Sequence, residues 1–343
     1  MRSARRQRGV VLLIVLFFAL LLTASIATFL KRSTVDAILS RNRDTMARAE
    51  ALARGGVELA KALLVDDSVA DTSDPATSRL DSQLDSWARV VNAEIEAGGG
   101  ARLRLRIEDA GSRLNLNALF SFGENDQLSD RTEPFLHAFL EKMIEELPVD
   151  EQELYDPREL AENLIDYVDP DEVRMDGGFE DDYYQRQAPP YHAANGPLLS
   201  VDELGLVEGF DAALIEVIRP YVTVHPFAGG GGVNPNTAPP HILALIFYND
   251  GVDLRLAQEE DVHRILKVRE SGQIICPGQS NQECTPISGF MPNAETIHPP
   301  LSYSSNSFTV RSSARVGEVR RTVETVIDRT TPGEPLLLSW KVW

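Results

Sequence analysis

The chain has 343 residues, of which 43% are hydrophobic and 25% charged, a composition typical of globular proteins. Its formal net charge is −19 at pH 7, and such an acidic surface argues against nucleic-acid binding because it repels phosphate backbones. Only two cysteines occur, Cys276 and Cys284, which excludes a scaffold built on several disulfides.

The N-terminus combines a basic leader with a long apolar segment. Residues 1–9 carry four arginines and no acid, and residues 10–30 carry no charged side chain. At about 1.5 Å per helical residue, the apolar segment is long enough to cross a bilayer core about 30 Å thick. The positive-inside rule then predicts a single-pass inner-membrane protein with a cytoplasmic N-terminus and a periplasmic C-terminal domain. The alternative is a secretory signal cleaved near Ser25-Ile26-Ala27.

The helical pattern continues beyond the apolar segment. Between residues 35 and 64, apolar side chains recur at intervals of three, four and seven residues, as on one face of a helix. No proline interrupts the pattern before Pro75. We therefore expect one long helix, with residues 10–30 as its transmembrane part and residues 31–70 as an amphipathic continuation.

This N-terminus resembles that of type IV pilins and pseudopilins, in which a short basic leader ends in glycine directly before an apolar helix. The resemblance implies that prepilin peptidase cleaves after Gly9 and that Val10 becomes the N-methylated first residue. The fifth residue of the mature chain is usually glutamate in that family, whereas here it is Ile14. The usual carboxylate neutralises the N-terminal ammonium of an adjoining subunit in lipid, where an unpaired charge is costly. Within the family, this departure is similar to the minor pseudopilin K proteins of type II secretion (the GspK family).

The sequence beyond residue 70 predicts strands on either side of a helical, acidic block. Residues 102–108 alternate between polar and apolar side chains, as in a half-buried strand, and residues 307–316 and 320–329 predict a hairpin joined at Gly317-Glu318. Between them, residues 124–182 contain 21 acidic and four basic residues, with apolar side chains at helical spacing.

The predicted fold class is α+β: a pilin-like fold, with a long N-terminal helix packed on an antiparallel sheet, that carries a large inserted all-α domain. We assign residues 71–115 and 220–343 to the pilin-like α/β domain and residues 116–219 to the inserted acidic domain. K-type pseudopilins have such an insertion, and three segments resemble their signatures: LIDYVDPD, FEDDYY and ANGPLLSVDEL.

The densest group of acids lies within the predicted insertion and comprises Asp166, Asp169, Asp171, Asp176, Glu180, Asp181 and Asp182. Carboxylate and carbonyl oxygens are the ligands that calcium prefers. The segment is not an EF-hand, because Val173 and Arg174 occupy positions where that loop has an oxygen ligand and a glycine. A solvated acidic loop without metal is the alternative.

The resemblance implies a structural calcium ion in the inserted domain. Calcium would neutralise like charges that otherwise repel one another in a folded loop. The predicted ligands are Asp169, Asp171, Glu180 and Asp182, with Asp166, Asp176 and Asp181 as further candidates.

Cys276 and Cys284 bracket a turn-rich loop, CPGQSNQEC. In an oxidising periplasm such a pair usually forms a disulfide, which would stabilise the fold by about 2.5 kcal/mol in the chain-entropy model. The alternative is a pair of buried, unpaired thiols.

The remaining motifs indicate a structural protein rather than an enzyme. The sequence has no metalloprotease, nucleophile-elbow or phosphate-loop motif. Residues 201–218 resemble a helix-hairpin-helix, but their acids would repel DNA. The resemblance implies a non-enzymatic tip subunit that assembles with minor pseudopilins I and J. A minor type IV pilin in pilus priming or DNA uptake is the alternative, and a single-pass periplasmic enzyme is a third.

Overall fold

A computed structural model describes residues 8–73, 80–90, 94–120, 122, 128–227, 230–278, 284–331 and 333–343. Residues 1–7 of the predicted leader lie outside the described residues. The helices are α1 (Arg8–Ser73), α2 (Ser86–Arg89), α3 (Thr132–Glu145), α4 (Val149–Gln152), α5 (Pro157–Val168), α6 (Asp181–Tyr184), α7 (Ala212–Ile218), α8 (Pro240–Leu243) and α9 (Glu259–Glu270). Short 3-10 helices span Ala110–Ser112, Leu116–Leu119, Val201–Leu206, Ile287–Gly289 and Ala294–Thr296.

The strands form one large sheet and three small ones. They are β1 (Glu94–Glu96), β2 (Arg102–Asp109), β3 (Leu114–Asn115), β4 (Val222–Thr223), β5 (Phe247–Asn249), β6 (Leu254–Leu256), β7 (Ile274–Cys276), β8 (Cys284–Pro286), β9 (Ser307–Val316), β10 (Val319–Asp328), β11 (Leu336–Leu337) and β12 (Lys341–Val342). The large sheet is antiparallel in the order β1-β2-β9-β10-β11, and β12 also pairs with β10. The long N-terminal helix and the antiparallel sheet confirm the predicted fold class.

The hairpin of β9 and β10 is the centre of the large sheet. Its register pairs Val316 with Val319 next to the turn and Ser307 with Asp328 at the far end. Gly317 has φ of 59° in the turn, a conformation that glycine adopts without the steric cost of a side chain. The predicted hairpin is therefore confirmed, and strand β2 pairs with the other edge of β9.

Helix α1 packs on one face of this sheet through a stripe of apolar side chains, two of which are alanines. Ala53, Val57, Ala60 and Leu64 are fully buried on α1, at the three- and four-residue spacing that places them on one helix face. They share a core with the inward side chains of the sheet, which are Leu103, Leu105, Ile107, Phe308, Val310, Ala314, Val323 and Ile327. The amphipathic continuation of the stem is thus also the core helix of the pilin-like fold.

The structure has a second hydrophobic core, and the division of the chain between the two cores does not fall at the predicted boundary at residue 219. Buried side chains from Leu114 to Ile297 form one cluster, separate from the core beneath the large sheet. Among the described residues, the ladders of strands β4 to β8 join only one another or β3, and a bridge from Phe247 of β5 to His298 also lies within this part of the chain. The lobe inserted between β2 and β9 therefore spans residues 110–306. The described elements between residues 116 and 219 are helices apart from the Val173–Phe179 bridge, and buried apolar side chains from Tyr221 to Ile297 cluster with them instead of with the large sheet.

This difference has a physical reason. Alternation of apolar and polar residues indicates that a segment is a strand, but not which strand it pairs with. Leu114 and Val222 pair in the parallel ladder of β3 and β4. Both strands lie in the lobe.

A buried polar network joins the lobe to the stem and the sheet. The Arg329 guanidinium, which is 8% exposed, donates to Asp67 of α1 at 2.8 Å and also to the fully buried Asp81. Asn234 of the lobe donates through Nδ2 to the Asp81 carbonyl at 3.1 Å and to Asp109 Oδ2 at 2.9 Å. Because buried charges are costly unless they are paired, breaking these contacts would be unfavourable. The contacts therefore fix the position of the lobe core relative to the core beneath the sheet.

Helix α1 lies close against the sheet at Gly56. A Cβ atom at this position would lie 2.2 Å from Ser312 Oγ and 3.0 Å from Leu103 Cδ1, whereas a Cβ at the neighbouring Gly55 would have no atom within 4 Å. We predict that Gly56→Ala lowers the free energy of unfolding by about 1–3 kcal/mol through overpacking. Gly55→Ala is the matched control and should leave it unchanged or raise it by about 0.5–1 kcal/mol.

Denaturant unfolding of the full chain in detergent measures both variants. Equal stability of the two variants would show that α1 does not pack against the sheet at Gly56.

Candidate metal centre and membrane stem

Helix α5 positions the acidic loop. Its first turn is fixed by Asp156, whose side chain accepts from the backbone N–H groups of Arg158 and Glu159, and by Pro157 at the first helical position. Leu160, Leu164, Ile165 and Val168 are buried on the face toward the lobe core. The helix ends at Val168, so that the loop from Asp169 leaves at a point that the core fixes.

Three carboxylates converge in this loop: Asp169, Asp171 and Glu180. One oxygen of each lies within 4.8 Å of the other two. Both Glu180 oxygens and Asp169 Oδ1 are buried and have no hydrogen-bond partner. Buried acceptors without partners are rare in folded proteins, and acceptors of negative charge grouped in this way suit a bound hard cation.

Electrostatics support the same conclusion. Burial, and then the neighbouring carboxylates, raise the pKa of Glu180 to about 8 and that of Asp169 to about 7. Both shifts express the cost of holding negative charge in this place without a counter-charge. A divalent cation would remove that cost.

The loop backbone places Asp171 and Glu180 on opposite arms. Val173 and Phe179 pair in an isolated antiparallel bridge, and Asp171 Oδ1 accepts from the Val173 N–H at 2.8 Å. Gly177 and Gly178 turn the chain with φ of 90° and 120°, which residues with a side chain rarely adopt. Glu180 therefore returns beside Asp169 and Asp171.

The other predicted ligands lie outside the cluster of three. Asp182 is exposed and lies on the wall of a cavity of about 440 Å³ that Glu180, Glu172, Phe179 and His192 also line. Asp181 accepts from the Ala193 N–H at 3.0 Å and pairs with His192, and the hydrogen bond to His192 lowers the pKa of Asp181.

Asp166 and Asp176 are also engaged elsewhere. Asp166 Oδ1 accepts from the Met175 N–H at 3.0 Å, and Asp176 Oδ1 accepts from Arg174 at 3.0 Å. Burial raises the pKa of Asp166. Asp166 and Asp176 therefore hold the Met175 backbone and the Arg174 side chain in place, and they are not among the three converging carboxylates.

Two positioning residues were not found by sequence reasoning. Arg174 appeared only as a departure from the EF-hand pattern, yet it also donates to Glu208 at 3.0 Å and to Asn163 at 3.2 Å, which ties the loop to α5 and to the chain before α7. Asn195 donates to the Asp171 carbonyl at 2.9 Å and has φ of 42°. The Asn195-Gly196 dipeptide is a turn signal in the sequence, and it could have indicated the role of Asn195.

Helix α1 is the second functional element. It is long and apolar enough to cross a membrane, and the side chains of residues 10–30 are exposed to the surroundings of the protein. Thr23 and Thr28 donate their hydroxyls to the carbonyls of Ala19 and Ala24, so their polar groups are satisfied within the helix, as a membrane requires. Gly9 and Val10 lie inside this helix, and Ile14 is 49% exposed on it.

Cys276 and Cys284 form a disulfide, with their Cα atoms 5.9 Å apart. It links the neighbouring strands β7 and β8. The loop between them at residues 279–283 lies outside the described residues.

Known proteins match this chain over most of its length. Residues 112–227 match the family model described as type II secretion system (T2SS), protein K. A type II secretion system protein K of Klebsiella pneumoniae is 30% identical over 243 residues, 70% of this chain and 69% of that protein. One of Aeromonas hydrophila is 29% identical over 345 residues, 98% of each chain.

A solved structure has the same fold. It is a chain of the GspK-GspI-GspJ complex from the type 2 secretion system of enterotoxigenic Escherichia coli, with a TM-score of 0.61 and 20% identity, and the match covers 89% of this chain and 99% of that one.

The fold and the stem together define a pilin-like protein: a helix of membrane-crossing length that packs on an antiparallel sheet and carries a large lobe. Within that class, the chain belongs to the type II secretion system protein K family.

Proposed function

We propose that the chain is a minor pseudopilin at the tip of the type II secretion pseudopilus. There it initiates assembly and supports the export of folded proteins across the outer membrane. Its role is structural. Membership of the protein K family supports a role in type II secretion, and the stem and the lobe support a position at the tip of the pseudopilus.

The observation that carries the proposal is the unbroken helix α1. It continues from the apolar segment directly into the core of the sheet, and its first acidic residue is Asp36. A subunit stacked above would place its N-terminal ammonium in lipid and would need a carboxylate near position 14. Because Ile14 offers none, this subunit fits where no other subunit lies above it.

The lobe supports the same position. It spans residues 110–306 and has its own core beside the sheet. A subunit with such a lobe is poorly suited to close repetition along a thin fibre, whereas a tip leaves room for it.

The proposed topology and partners follow from this role. Prepilin peptidase removes the leader after Gly9, Val10 is methylated, and the stem stays in the inner membrane with the lobe in the periplasm. The partners are minor pseudopilins I and J in a tip complex, and the other pseudopilins along the fibre. The relative of similar fold was solved in a complex with GspI and GspJ.

We also propose that Asp169, Asp171 and Glu180 hold a structural calcium ion. The support is the all-oxygen donor set and the three buried oxygens without hydrogen-bond partners. Calcium accepts carboxylate and backbone carbonyl oxygens together. When bound, it supplies positive charge, and these residues then tie the two arms of the loop to the end of α5.

The metal proposal predicts opposite effects of Glu180→Gln with and without calcium. In chelator, the variant should be at least as stable as the wild type, because it replaces, by a neutral amide of similar size, a buried carboxyl whose ionisation is disfavoured by burial and by the neighbouring acids. Saturating calcium should raise the melting temperature of the wild type by about 5–10 °C and that of Glu180→Gln by much less.

Asp182→Asn is the matched control, since Asp182 lies outside the cluster, and it should keep the full calcium response. Melting curves of the wild type that are identical in calcium and in chelator would contradict the proposed metal site.

The tip proposal predicts that Ile14→Glu impairs secretion while membrane insertion is retained. A carboxylate at position 14 would pair with the ammonium of a subunit stacked above, which misplaces the tip subunit within the fibre. Complementation of a deletion strain measures secreted enzyme activity, and Ile14→Val is the matched control.

Wild-type secretion by Ile14→Glu would contradict the capping argument. A deletion strain that secretes normally but loses twitching or DNA uptake would indicate a minor type IV pilin instead.

A further inference from the structure

The face of the large sheet that points away from α1 carries a cluster of arginines. Side chains along a strand alternate between the two faces of a sheet, and the inward set packs against α1. The outward set of β2, β9 and β10 contains six arginines, although the net charge of the chain is −19. All six are exposed, and we call them the arginine face: Arg102, Arg104, Arg106, Arg311, Arg315 and Arg320.

The strand register places these arginines directly opposite one another. Arg106 of β2 is the partner of Arg311 of β9, and Arg102 is the partner of Arg315. Arg315 is in turn the partner of Arg320 on β10. Since adjacent strands are about 4.8 Å apart, Arg102, Arg315 and Arg320 form a row about 10 Å long across three strands. Like charges directly opposite one another destabilise a sheet, so the row has a cost that a bound anion would remove.

Acidic neighbours neutralise this row only in part. Glu94 lies 3.6 Å from Arg102, and Glu318, whose side chain is 95% exposed, lies 3.5 Å from Arg315. Exposed ion pairs of this kind are weak. Within the part of the chain that the structure describes, Arg320 has no ion pair.

The arginines next to the row have closer acidic partners. Arg106 pairs with Glu108, and Arg311 pairs with Glu324. The positive potential of the arginine face is therefore strongest at the row, close to the turn of the β9–β10 hairpin.

The arginine face lies away from the membrane-crossing segment. That segment ends at Leu30, and the first fully buried side chain of α1 is Ala49. The distance between the two residues along the helix is about 28 Å. It exceeds the Debye length, which is about 8 Å at physiological ionic strength. Lipid headgroups at the membrane surface are therefore out of range of the row.

We propose that the arginine face binds an acidic surface of a partner protein, with carboxylates of the partner over Arg102, Arg315 and Arg320. A guanidinium group presents a planar set of donors that matches a carboxylate, and arginine is enriched at protein interfaces. The sign of the charge also gives the contact its orientation, because the acidic surface of the lobe repels such a partner.

The inference goes beyond the proposed function and rests on it for one point. In a pseudopilus whose subunits assemble through their stems, the arginine face points away from those stems, because α1 covers the opposite face of the sheet. The acidic partner then lies outside the bundle of stems.

The test is binding of a fluorescent octaglutamate peptide to the full chain in detergent, measured by fluorescence anisotropy at low ionic strength. We expect the wild type to bind the peptide, and added salt to weaken the binding. The combined substitutions Arg102→Gln, Arg315→Gln and Arg320→Gln should weaken it at least tenfold.

The matched control removes the same positive charge from exposed positions of the lobe, by the combined substitutions Arg158→Gln, Arg186→Gln and Lys267→Gln. It should change the affinity less than twofold. Melting curves establish that both triple variants fold.

Unchanged affinity of the row variant, or no binding of the peptide by the wild type, would overturn the inference. An equal loss of affinity in the control variant would also overturn it, because net charge alone would then explain the binding. Displacement of the peptide by glycerol 3-phosphate at an equal concentration of charge would indicate a phosphate ligand instead of an acidic protein. Peptide binding requires no other subunit, so these outcomes are independent of the secretion measurements that test the proposed function.

Discussion

The rest of the structure depends on the packing of α1 against the large sheet. A helix that is apolar on all sides in residues 10–30 becomes, without a break, a helix with one buried face at Ala53, Val57, Ala60 and Leu64. The alanines on that face, with Gly56 against Ser312, allow backbone and sheet to approach closely. The segment long and apolar enough to cross a membrane and the helix in the core of the sheet are therefore one element, and the sheet cannot move independently of the stem.

The lobe is held to this unit by buried charge rather than by a shared apolar core. Arg329, Asp67 and Asp81 join the end of β10 to α1 and to the chain that follows it, while Asn234 reaches from the lobe to Asp109. The acidic loop beyond α5 has the opposite character. Its three carboxylates converge, and three of their oxygens are buried without a hydrogen-bond partner. Buried charge is therefore paired at the joint between lobe and sheet, whereas in the loop it lacks the counter-charge that the proposed calcium ion would supply.

Sequence analysis predicted the helices and strands in which apolar residues recur at a regular spacing. It missed the features that depend on which strands pair with each other. The stem, strand β2 and the hairpin of β9 and β10 followed from apolar spacing, since one face of each is buried. The extent of the lobe did not, because β4 to β8 are too short to indicate their partners. Of the four acids predicted first as ligands, Asp169, Asp171 and Glu180 converge. Asp182 is exposed in α6 and is not among the three converging carboxylates.

The stem gives this account its most direct test, because anchor, fold and assembly all require it to remain attached. The measurement is the mass and N-terminal sequence of the mature chain purified from membranes of cells that contain prepilin peptidase. The account predicts a chain that begins at Val10 and carries one N-methyl group. A mature chain that begins near Thr28, released by signal peptidase, would contradict it.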